Sequence, residues 1–396
     1  MGPDLTIERS GPAHLRGSTP APTANVPQTS LIARDWRTFV DPAYVAAWDA
    51  LAQEAIEPNP FYESWNLLPA LEEFDPDGAV KLWTLEIDGQ LVGLMPMTRE
   101  LRYYGYPLPH WCNWTHANCF FGAPLVAPGF ERLFWSHLLE EVDQWAELSL
   151  FLHLVHMPGT GPLHLALAAE IREAEWQRPA ATVMREERAA LVSLATPDAY
   201  FNEALTTKKR KELRRQRRRL AEEGKLEVER HDDVDGLSQW IGEFLALEKR
   251  SWKGRNGSAL DCDPRTARIF TRSLEGAARR GRLERLSLTL DGRPIAMLAN
   301  FLTPPGAFSY KTAFDEDYAR FSPGVLLQRE NLALLDNDTI AWADSCAAHD
   351  HPMIDHFWRE RRAISRHSIG IGGALRRKIF AMLARRETGQ PLGGHL

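Results

Sequence analysis

The stretch Arg285–Leu335 reads RLSLTLDGRPIAMLANFLTPPGAFSYKTAFDEDYARFSPGVLLQRENLALL. Two apolar runs flank an Asp291-Gly292 turn and a third follows Pro304-Pro305-Gly306, a pattern that predicts a three-stranded antiparallel meander. Ser322-Pro323 then predicts a helix start, continued by an amphipathic run over Val325–Leu335. Because the first N–H groups of a helix have no partner inside it, this start is expected to favour an anion, above all a phosphate.

A similar hairpin occurs earlier in the chain, in KLWTLEIDGQLVGLMPMTREL (Lys81–Leu101), around an Asp88-Gly89 turn. After each hairpin come an extended run, a turn and a helix. Those helices are predicted near Phe130–Glu147 in the first half and Pro323–Leu335 in the second. The repeated order predicts two copies of one mixed α/β unit with mostly antiparallel sheets.

The predicted organisation has four parts. Residues 1–28 are rich in Pro, Ala, Ser and Thr and are expected to be a disordered tail. Residues 29–192 form the first unit, residues 193–366 the second unit with the ligand site, and residues 367–396 a basic amphipathic helix and tail.

The bulk composition excludes several classes of protein. The 396 residues are 44% hydrophobic and 25% charged with a formal net charge of −6, which is typical of a soluble globular protein and makes nucleic acid an unlikely partner. Four cysteines are scattered without a CxxC spacing, which disfavours a zinc site and disulfides and favours a cytoplasmic location. No run approaches the roughly 20 apolar residues of a membrane span.

Four stretches together resemble GNAT acyltransferases of the CelD and FemAB-like type, in which two GNAT folds stand in tandem. They are TTKKRKELRRQRRRLAEEGKLEVE (206–229), FLALEKRSWKGRNGSAL (244–260), DGRPIAMLANF (291–301) and YARFSPGVLL (318–327). The resemblance implies a tandem GNAT-like acyl-CoA N-acyltransferase fold, acyl-CoA as co-substrate, no metal, and an amine or hydroxyl acceptor. With the basic tail, it extends to bacterial acyl-CoA-dependent ceramide synthases, which implies a lipid or envelope-precursor acceptor such as a sphingoid base.

The predicted helix start supplies the candidate donor site. The resemblance implies that Phe321, Ser322 and the backbone N–H groups of Gly324, Val325 and Leu326 hold the pyrophosphate of coenzyme A. No Gly-Lys-Ser/Thr follows, so nucleotide hydrolysis is disfavoured. The alternative is an ordinary cap on a core helix.

Acyl transfer to an amine needs a base, donors for the oxyanion and an acid for the leaving thiolate. His349, His351 and Asp355 supply imidazole and carboxylate groups in one short segment, with His351 preferred because Pro352 restrains the chain beside it. The alternative for this segment is a polar loop followed by a solvated helix.

Three further candidates complete the catalytic set. Asp344 matches the Asp with which the family segment opens, although the family's Lys is missing here. By analogy with GNAT enzymes Tyr318 is the thiolate-side acid. Lys311 lies on the third strand of the meander, and its side chain points either into the cleft or to solvent.

Two basic segments stand out. Lys208–Arg219 carries nine basic residues and one acid, and three interpretations stay open: contact with tRNA phosphates, docking on anionic lipid, or a solvated helix. Arg376–Arg386 favours either an anionic membrane surface on the inner face of the membrane or a terminal helix packed on the second unit.

The favoured function is transfer of an acyl group from acyl-CoA to a lipidic amine. One alternative is a FemAB-like aminoacyl transferase that uses charged tRNA. The other is a non-catalytic component of polysaccharide assembly or membrane docking.

Overall fold

The computed structural model describes residues 29–173 and 178–389. The predicted tail over residues 1–28 lies outside the described residues. Within them, one mixed sheet contains thirteen strands. The strands are β1 Thr29–Asp35, β2 Lys81–Ile87, β3 Gln90–Glu100, β4 His110–Asn113, β5 Leu125–Val126, β6 Phe151–Pro158, β7 Ala180–Leu191, β8 Leu226–His231, β9 Leu283–Leu290, β10 Arg293–Thr303, β11 Gly306–Phe314, β12 Trp342–Asp344 and β13 Glu360–Gly370.

Eleven α-helices are described between and beside the strands. They are α1 Pro42–Glu54, α2 Ser64–Phe74, α3 Glu131–Gln144, α4 Pro162–Glu173, α5 Pro197–Ala204, α6 Thr207–Glu222, α7 Leu237–Arg250, α8 Trp252–Arg255, α9 Pro264–Ala278, α10 Pro323–Asn331 and α11 Ala374–Thr388. No helix in the described residues combines the length and apolar character needed to cross a bilayer.

Both predicted hairpins are present, and their turns explain the choice of residues. Asp88 and Gly89 have φ values of 50° and 82°, and Asp291 and Gly292 have 50° and 77°. Two successive positive φ angles match the right-handed twist of the flanking strands, and Asp-Gly adopts them at low cost. The meander predicted over Arg285–Leu335 is therefore confirmed as β9, β10 and β11.

The duplication is visible in the sheet, whose strand order is β1-β2-β3-β4-β6-β13-β7-β12-β11-β10-β9-β8. Each half contains one parallel pair, β4 with β6 and β11 with β12, while the other pairings are antiparallel. The final strand of each half is exchanged: β13 pairs with β6, and β7 pairs with β12. This is a mixed α/β fold of tandem GNAT-like units whose halves share one sheet.

One predicted boundary needs correction. Residues 367–370 belong to β13 rather than to a terminal helix segment, because Ser368 and Ile369 pair with strands on both sides. The helix α11 begins at Ala374. The division of the chain at residue 192 stays a prediction.

The halves also meet through their helices. Trp65 on α2 packs its ring 4.9 Å from that of Phe301 on β10, and the Gly276 backbone on α9 lies so close to Trp65 that a Cβ there would be 2.8 Å from the Trp65 Cβ. Arg268 on α9 forms an ion pair with Glu73 on α2. These contacts fix the cleft between the halves, where the candidate site lies.

Candidate active site at the opening between β11 and β12

The parallel pair β11 and β12 separates after three residues. Gly306–Phe308 pair with Trp342–Asp344, and β11 then continues to Phe314 while the chain after Asp344 turns away. In the described part of the chain, Ser309–Phe314 therefore has one edge without a strand partner. A Cβ on Gly324 would lie 3.3 Å from the Phe314 ring and 2.7 Å from Met353 Sδ, so α10 begins at the far end of this opening. We call the space between Ser309–Phe314, residues 345–353 and the start of α10 the β11 cleft.

A β-bulge shapes the β11 edge. Lys311 pairs with Ala299 and Ser309 pairs with Asn300, so Tyr310 is an extra residue between them. The Tyr310 ring stacks on Phe301 at 4.5 Å in the core. Bulges of this kind break the regular alternation of side chains and re-aim a neighbour.

The bulge redirects the side chain of Lys311, which points into the cleft between the halves. Its Nζ donates a hydrogen bond of 2.7 Å to Asn118 Oδ1 of the first half and lies 5.0 Å from the centroid of the Phe120 ring. Burial, and then the nearby Lys253, lower the pKa of Lys311 to about 8. A lysine with such a pKa exists in both protonation states near neutral pH, as an acid–base catalyst requires.

Sequence reasoning did not single out Lys253 and Glu248. Lys253 Nζ donates to Glu248 Oε1 at 2.8 Å and to the Thr312 carbonyl on the open edge at 3.2 Å. Glu248 is buried, and its other oxygen accepts from the Leu260 N–H at 2.8 Å. Both residues lie in the segment EKRSWKG, but the apolar spacing of α7 made this segment resemble an ordinary core helix.

His351 lies at the same cleft but not in the predicted arrangement. It is half-buried, and the Met353 N–H points at its Nδ1 across 3.4 Å, which places the proton of the neutral ring on Nε2. Burial and the nearby Lys253 lower the pKa of His351. The Asp355 carboxylate binds Arg361 on β13 at 3.1 Å, so the structure shows no carboxylate–imidazole hydrogen bond between this pair of described residues.

Asp344 is fully buried and engaged by cations. Its Oδ2 lies 3.1 Å from Arg362 and its Oδ1 3.6 Å from Arg188, and Oδ1 also accepts the Cys346 N–H at 2.8 Å. Arg362 continues to Glu57 of the first half at 3.3 Å. This network ties three strands and both halves together, which is the arrangement of a structural ion cluster.

The remaining catalytic candidates lie apart from Lys311. His349 is exposed and pairs with the adjacent Asp350 at 3.1 Å. Tyr318 is half-buried and packs against the core cluster beneath α10. The structure thus places Lys311 and His351 at the β11 cleft and Asp344 in a buried ion cluster, while His349 is an exposed residue of the cleft wall and Tyr318 packs against the core.

The helix start at Ser322-Pro323 occurs where predicted, but the side-chain cap does not form. Ser322 has a left-handed φ of 54° and its hydroxyl makes no cap hydrogen bond. Its carbonyl instead accepts the N–H groups of Val325 and Leu326, each at 3.0 Å. Among the described residues the Gly324 N–H has no hydrogen-bond partner, and Met353 packs against the Gly324 Cα.

Phe321 lies between this helix start and a charged groove. The ring is buried, and the Arg320 guanidinium sits 4.6 Å above it. The groove runs along α6, with its floor at Phe321. Its charged and polar walls are Glu212, Arg215, Gln216, Arg219, Glu222, Glu223 and Arg320.

The corresponding opening in the first half is closed. Asn113 at the end of β4 accepts the Val155 N–H at 2.8 Å and donates to the Val155 carbonyl at 3.0 Å, which bridges the gap to β6. At the start of α3, the Glu131 carboxylate accepts the Gly129 N–H at 3.1 Å. A side chain therefore fills the strand gap, and a fixed negative charge occupies the helix start.

Comparison with known protein families finds a match in the second half of the chain. Residues 207–351 match the profile of the acetyltransferase (GNAT) domain. No curated protein sequence gives a significant match. Among the described residues, no three His, Cys, Asp or Glu side chains come together as metal ligands.

Solved structures resemble the fold of the whole chain. FemX has a TM-score of 0.53 at 12% identity, covering 86% of this chain and 98% of its own. A conserved protein of unknown function from Bacteroides thetaiotaomicron has 0.52 at 10% identity, covering 83% and 97%. The C-terminal DUF2156 domain of a protein assigned as a lysylphosphatidylglycerol synthetase from Agrobacterium fabrum has 0.50 at 13% identity, covering 89% and 97%. The second half of this chain thus carries the match to the GNAT domain, within a fold shared along nearly its whole length with FemX.

Proposed function

We propose that this protein transfers an acyl group from acyl-CoA to an amine by direct attack in a ternary complex. The observation that supports it is the contrast between the halves: the β11 cleft is open and contains Lys311, while its counterpart is bridged by Asn113. The match of residues 207–351 to the acetyltransferase (GNAT) domain supports the same class of reaction.

In the proposed reaction, the amine nitrogen attacks the thioester carbonyl carbon, so that a C–N bond forms and the C–S bond breaks. Neutral Lys311 takes a proton from the acceptor ammonium, which leaves a neutral amine to attack, and the thiolate leaves with a proton from solvent or from the cationic lysine. Apart from the Thr312 carbonyl, which accepts from Lys253, backbone groups on the open edge of Ser309–Phe314 are proposed to pair with the amides of an extended donor.

The donor phosphates are proposed to bind at the start of α10. The free Gly324 N–H and the positive end of the helix dipole favour an anion there, once the Met353 side chain turns aside. In the groove beside Phe321, Arg215 pairs with Glu212 and Arg320 pairs with Glu223, so Arg219 is the cation proposed to meet the nucleotide end of coenzyme A.

A carboxylate at this helix start is expected to weaken donor binding. Gly324→Asp places a negative charge where Glu131 stands in the closed half, and we expect the Kd for coenzyme A to rise at least about tenfold, measured by calorimetry. Leu194→Asp adds the same charge at a fully exposed position and is expected to leave Kd unchanged. Equal affinities in all three proteins, or no heat with any acyl-CoA, would count against this donor site.

For the acceptor we propose an amine on an apolar body, with a sphingoid base as the first compound to test. Phe74, Trp114 and His116 form a half-buried wall beside Lys311, with ring centroids 5.5 Å and 5.6 Å from that of His116. Burial lowers the pKa of His116 to about 4, so this wall is uncharged at neutral pH. Mass spectrometry of products from palmitoyl-CoA with sphinganine, compared with a hydrophilic amine such as glucosamine, tests this preference.

A second candidate donor, charged tRNA, is favoured by α6. Six exposed cations of this helix have no ion pair among the described residues. They are Lys208, Lys209, Lys211, Arg214, Arg217 and Arg219. A surface of this kind suits the binding of a polyanion longer than coenzyme A. The affinity of such binding would decrease steeply as the salt concentration rises.

Removal of positive charges from α6 distinguishes acyl-CoA from charged tRNA as the donor. If tRNA is the donor, Lys211, Arg214 and Arg217 changed together to Gln weaken tRNA binding and flatten its salt dependence, as seen in filter binding at several salt concentrations. The matched triple change Lys378, Arg385 and Arg386 to Gln removes three cations from α11 and should leave tRNA binding intact. Under the acyl-CoA proposal the wild-type protein binds tRNA weakly, and acyl transfer proceeds without it.

A further inference from the structure

Helix α11 has an outward face of unusual composition for a solvent-facing helix. Its centre carries Leu375 and Met382, which are 73% and 67% exposed, with the partly exposed Ile379 between them. The same face carries three exposed cations: Lys378, Arg385 and Arg386. A free face of this kind offers cations to anionic headgroups and apolar side chains to the boundary with the acyl chains.

The opposite face of α11 packs against the sheet. Phe380 is buried and stacks on Phe151 of β6 at 5.5 Å between ring centroids. Arg377 pairs with Asp143 at 2.8 Å, and Glu387 accepts a 2.8 Å hydrogen bond from the Tyr103 hydroxyl. The single acid of the helix, Glu387, is exposed but held beside Tyr103 rather than among Leu375, Lys378 and Met382.

Exposed apolar residues continue beside both ends of α11. Arg376 reaches the Ser149 carbonyl at 3.4 Å, next to Leu148, which is 74% exposed. At the other end, Tyr103 is followed by Tyr104, which is also largely exposed. Exposed aliphatic and aromatic side chains beside cations are typical of surfaces that enter the headgroup region of a bilayer.

We propose that the outward face of α11 docks this protein on an anionic lipid bilayer, with the helix parallel to the membrane plane. The basic residues meet the anionic headgroups, and Leu375, Ile379 and Met382 enter the boundary with the acyl chains. A second copy of the chain is a poor occupant, since a two-fold contact would bring three cations against three cations. Nucleic acid is also a poor partner for this face, because phosphates make no favourable contact with its apolar centre.

Vesicle flotation tests the proposal without any acyl donor, so its result does not depend on the proposed reaction. Wild-type protein is expected to float with phosphatidylcholine vesicles that contain 30% phosphatidylglycerol, and to bind pure phosphatidylcholine far more weakly. The double change L375E/M382E is expected to lower the partition coefficient at least about tenfold. Changing Lys378, Arg385 and Arg386 to Gln should lower it about fivefold per charge removed.

The control is L165E/L194E, which makes the same change at two exposed apolar positions far from α11 in sequence. This protein should float like the wild type. Equal flotation of the two double variants, or none by the wild type, would overturn the proposal. So would a dimer in analytical ultracentrifugation that dissociates on L375E/M382E, because the face would then serve self-association.

Discussion

Replacement of Lys311 by methionine is expected to lower kcat/KM for acyl transfer by about 10²–10⁴-fold, the usual range for loss of a positioned acid–base group. The change keeps most of the side-chain length and removes the amine that faces Asn118 across the cleft. The measurement is single-turnover acyl transfer at saturating donor. Donor binding by calorimetry should be unchanged, because the proposed phosphate site at Gly324 is separate from this amine.

The pH dependence of kcat/KM tests whether Lys311 acts as a base. Because the base must be neutral and the pKa of Lys311 is lowered to about 8, kcat/KM should rise about tenfold per pH unit below pH 8 and level off above it. The titratable groups that face Lys311 are Glu248 on α7, Lys253 on α8, the Cys346 thiol after β12 and His116 in the first half. Methionine at residue 253 removes a repelling cation and frees the Glu248 carboxylate, and both effects raise the pKa of Lys311.

The rise of kcat/KM should therefore move to higher pH in Lys253→Met. Lys249→Met is the matched control, since Lys249 is exposed and pairs with Asp261 at 2.7 Å rather than with Glu248. An unchanged profile in Lys253→Met with full activity would show that Lys253 does not tune the site. A profile that falls through pH 8 would assign Lys311 as the acid rather than the base.

Lys311 also affects stability, in a direction set by its pKa. Its folded-state pKa lies below the unfolded value, so between about pH 8 and 10.5 the unfolded state binds more protons and the free energy of unfolding rises with pH. Lys311→Met should lack this rise, and its relative stability should be greatest at pH 7. Urea unfolding at pH 7 and pH 9.5 measures the difference.

Local sequence predicted the elements of this fold better than their partners. The Asp-Gly turns fix both hairpins, because only a few residue types accept two positive φ angles in a row. The exchange of β7 and β13 carries no local signal, since either strand suits the same buried position. The direction of Lys311 depended on the bulge at Tyr310, where the alternation of strand side chains fails.

The candidate site shows the same limit. His351 and Asp355 looked like a catalytic pair because they are close in sequence, yet Asp355 binds Arg361, which reaches it from β13. Glu248 lies on a helix whose apolar spacing indicates only a core face, and Lys253 lies on a four-residue helix without a buried residue. Asp344 was predicted as a site residue from the family resemblance. Its partners Arg188 and Arg362 could not be predicted, because they lie on two strands that meet only in the folded protein.

The second large effect is expected at Asp344, and it is an effect on stability. Asp344→Asn keeps the shape of the side chain but leaves Arg188 and Arg362 buried with one negative charge fewer. Breaking buried ion pairs in this way costs about 3–5 kcal/mol of unfolding free energy. We expect a loss near the lower end, about 3 kcal/mol, because Glu57 and Glu186 still pair with these arginines. Urea unfolding at pH 7 measures this loss.

The same variant decides between the two roles of Asp344. A structural anchor predicts lower stability with kcat retained by the molecules that stay folded, whereas a catalytic base predicts normal stability and a loss of kcat by orders of magnitude. Asp350→Asn is the control, since Asp350 is exposed and its pair with His349 at 3.1 Å should contribute less than about 1 kcal/mol. Because Asp344 has no exposed surface and touches two guanidinium groups, a substrate amine has no path to its carboxylate, and the anchor role is the one we expect to hold.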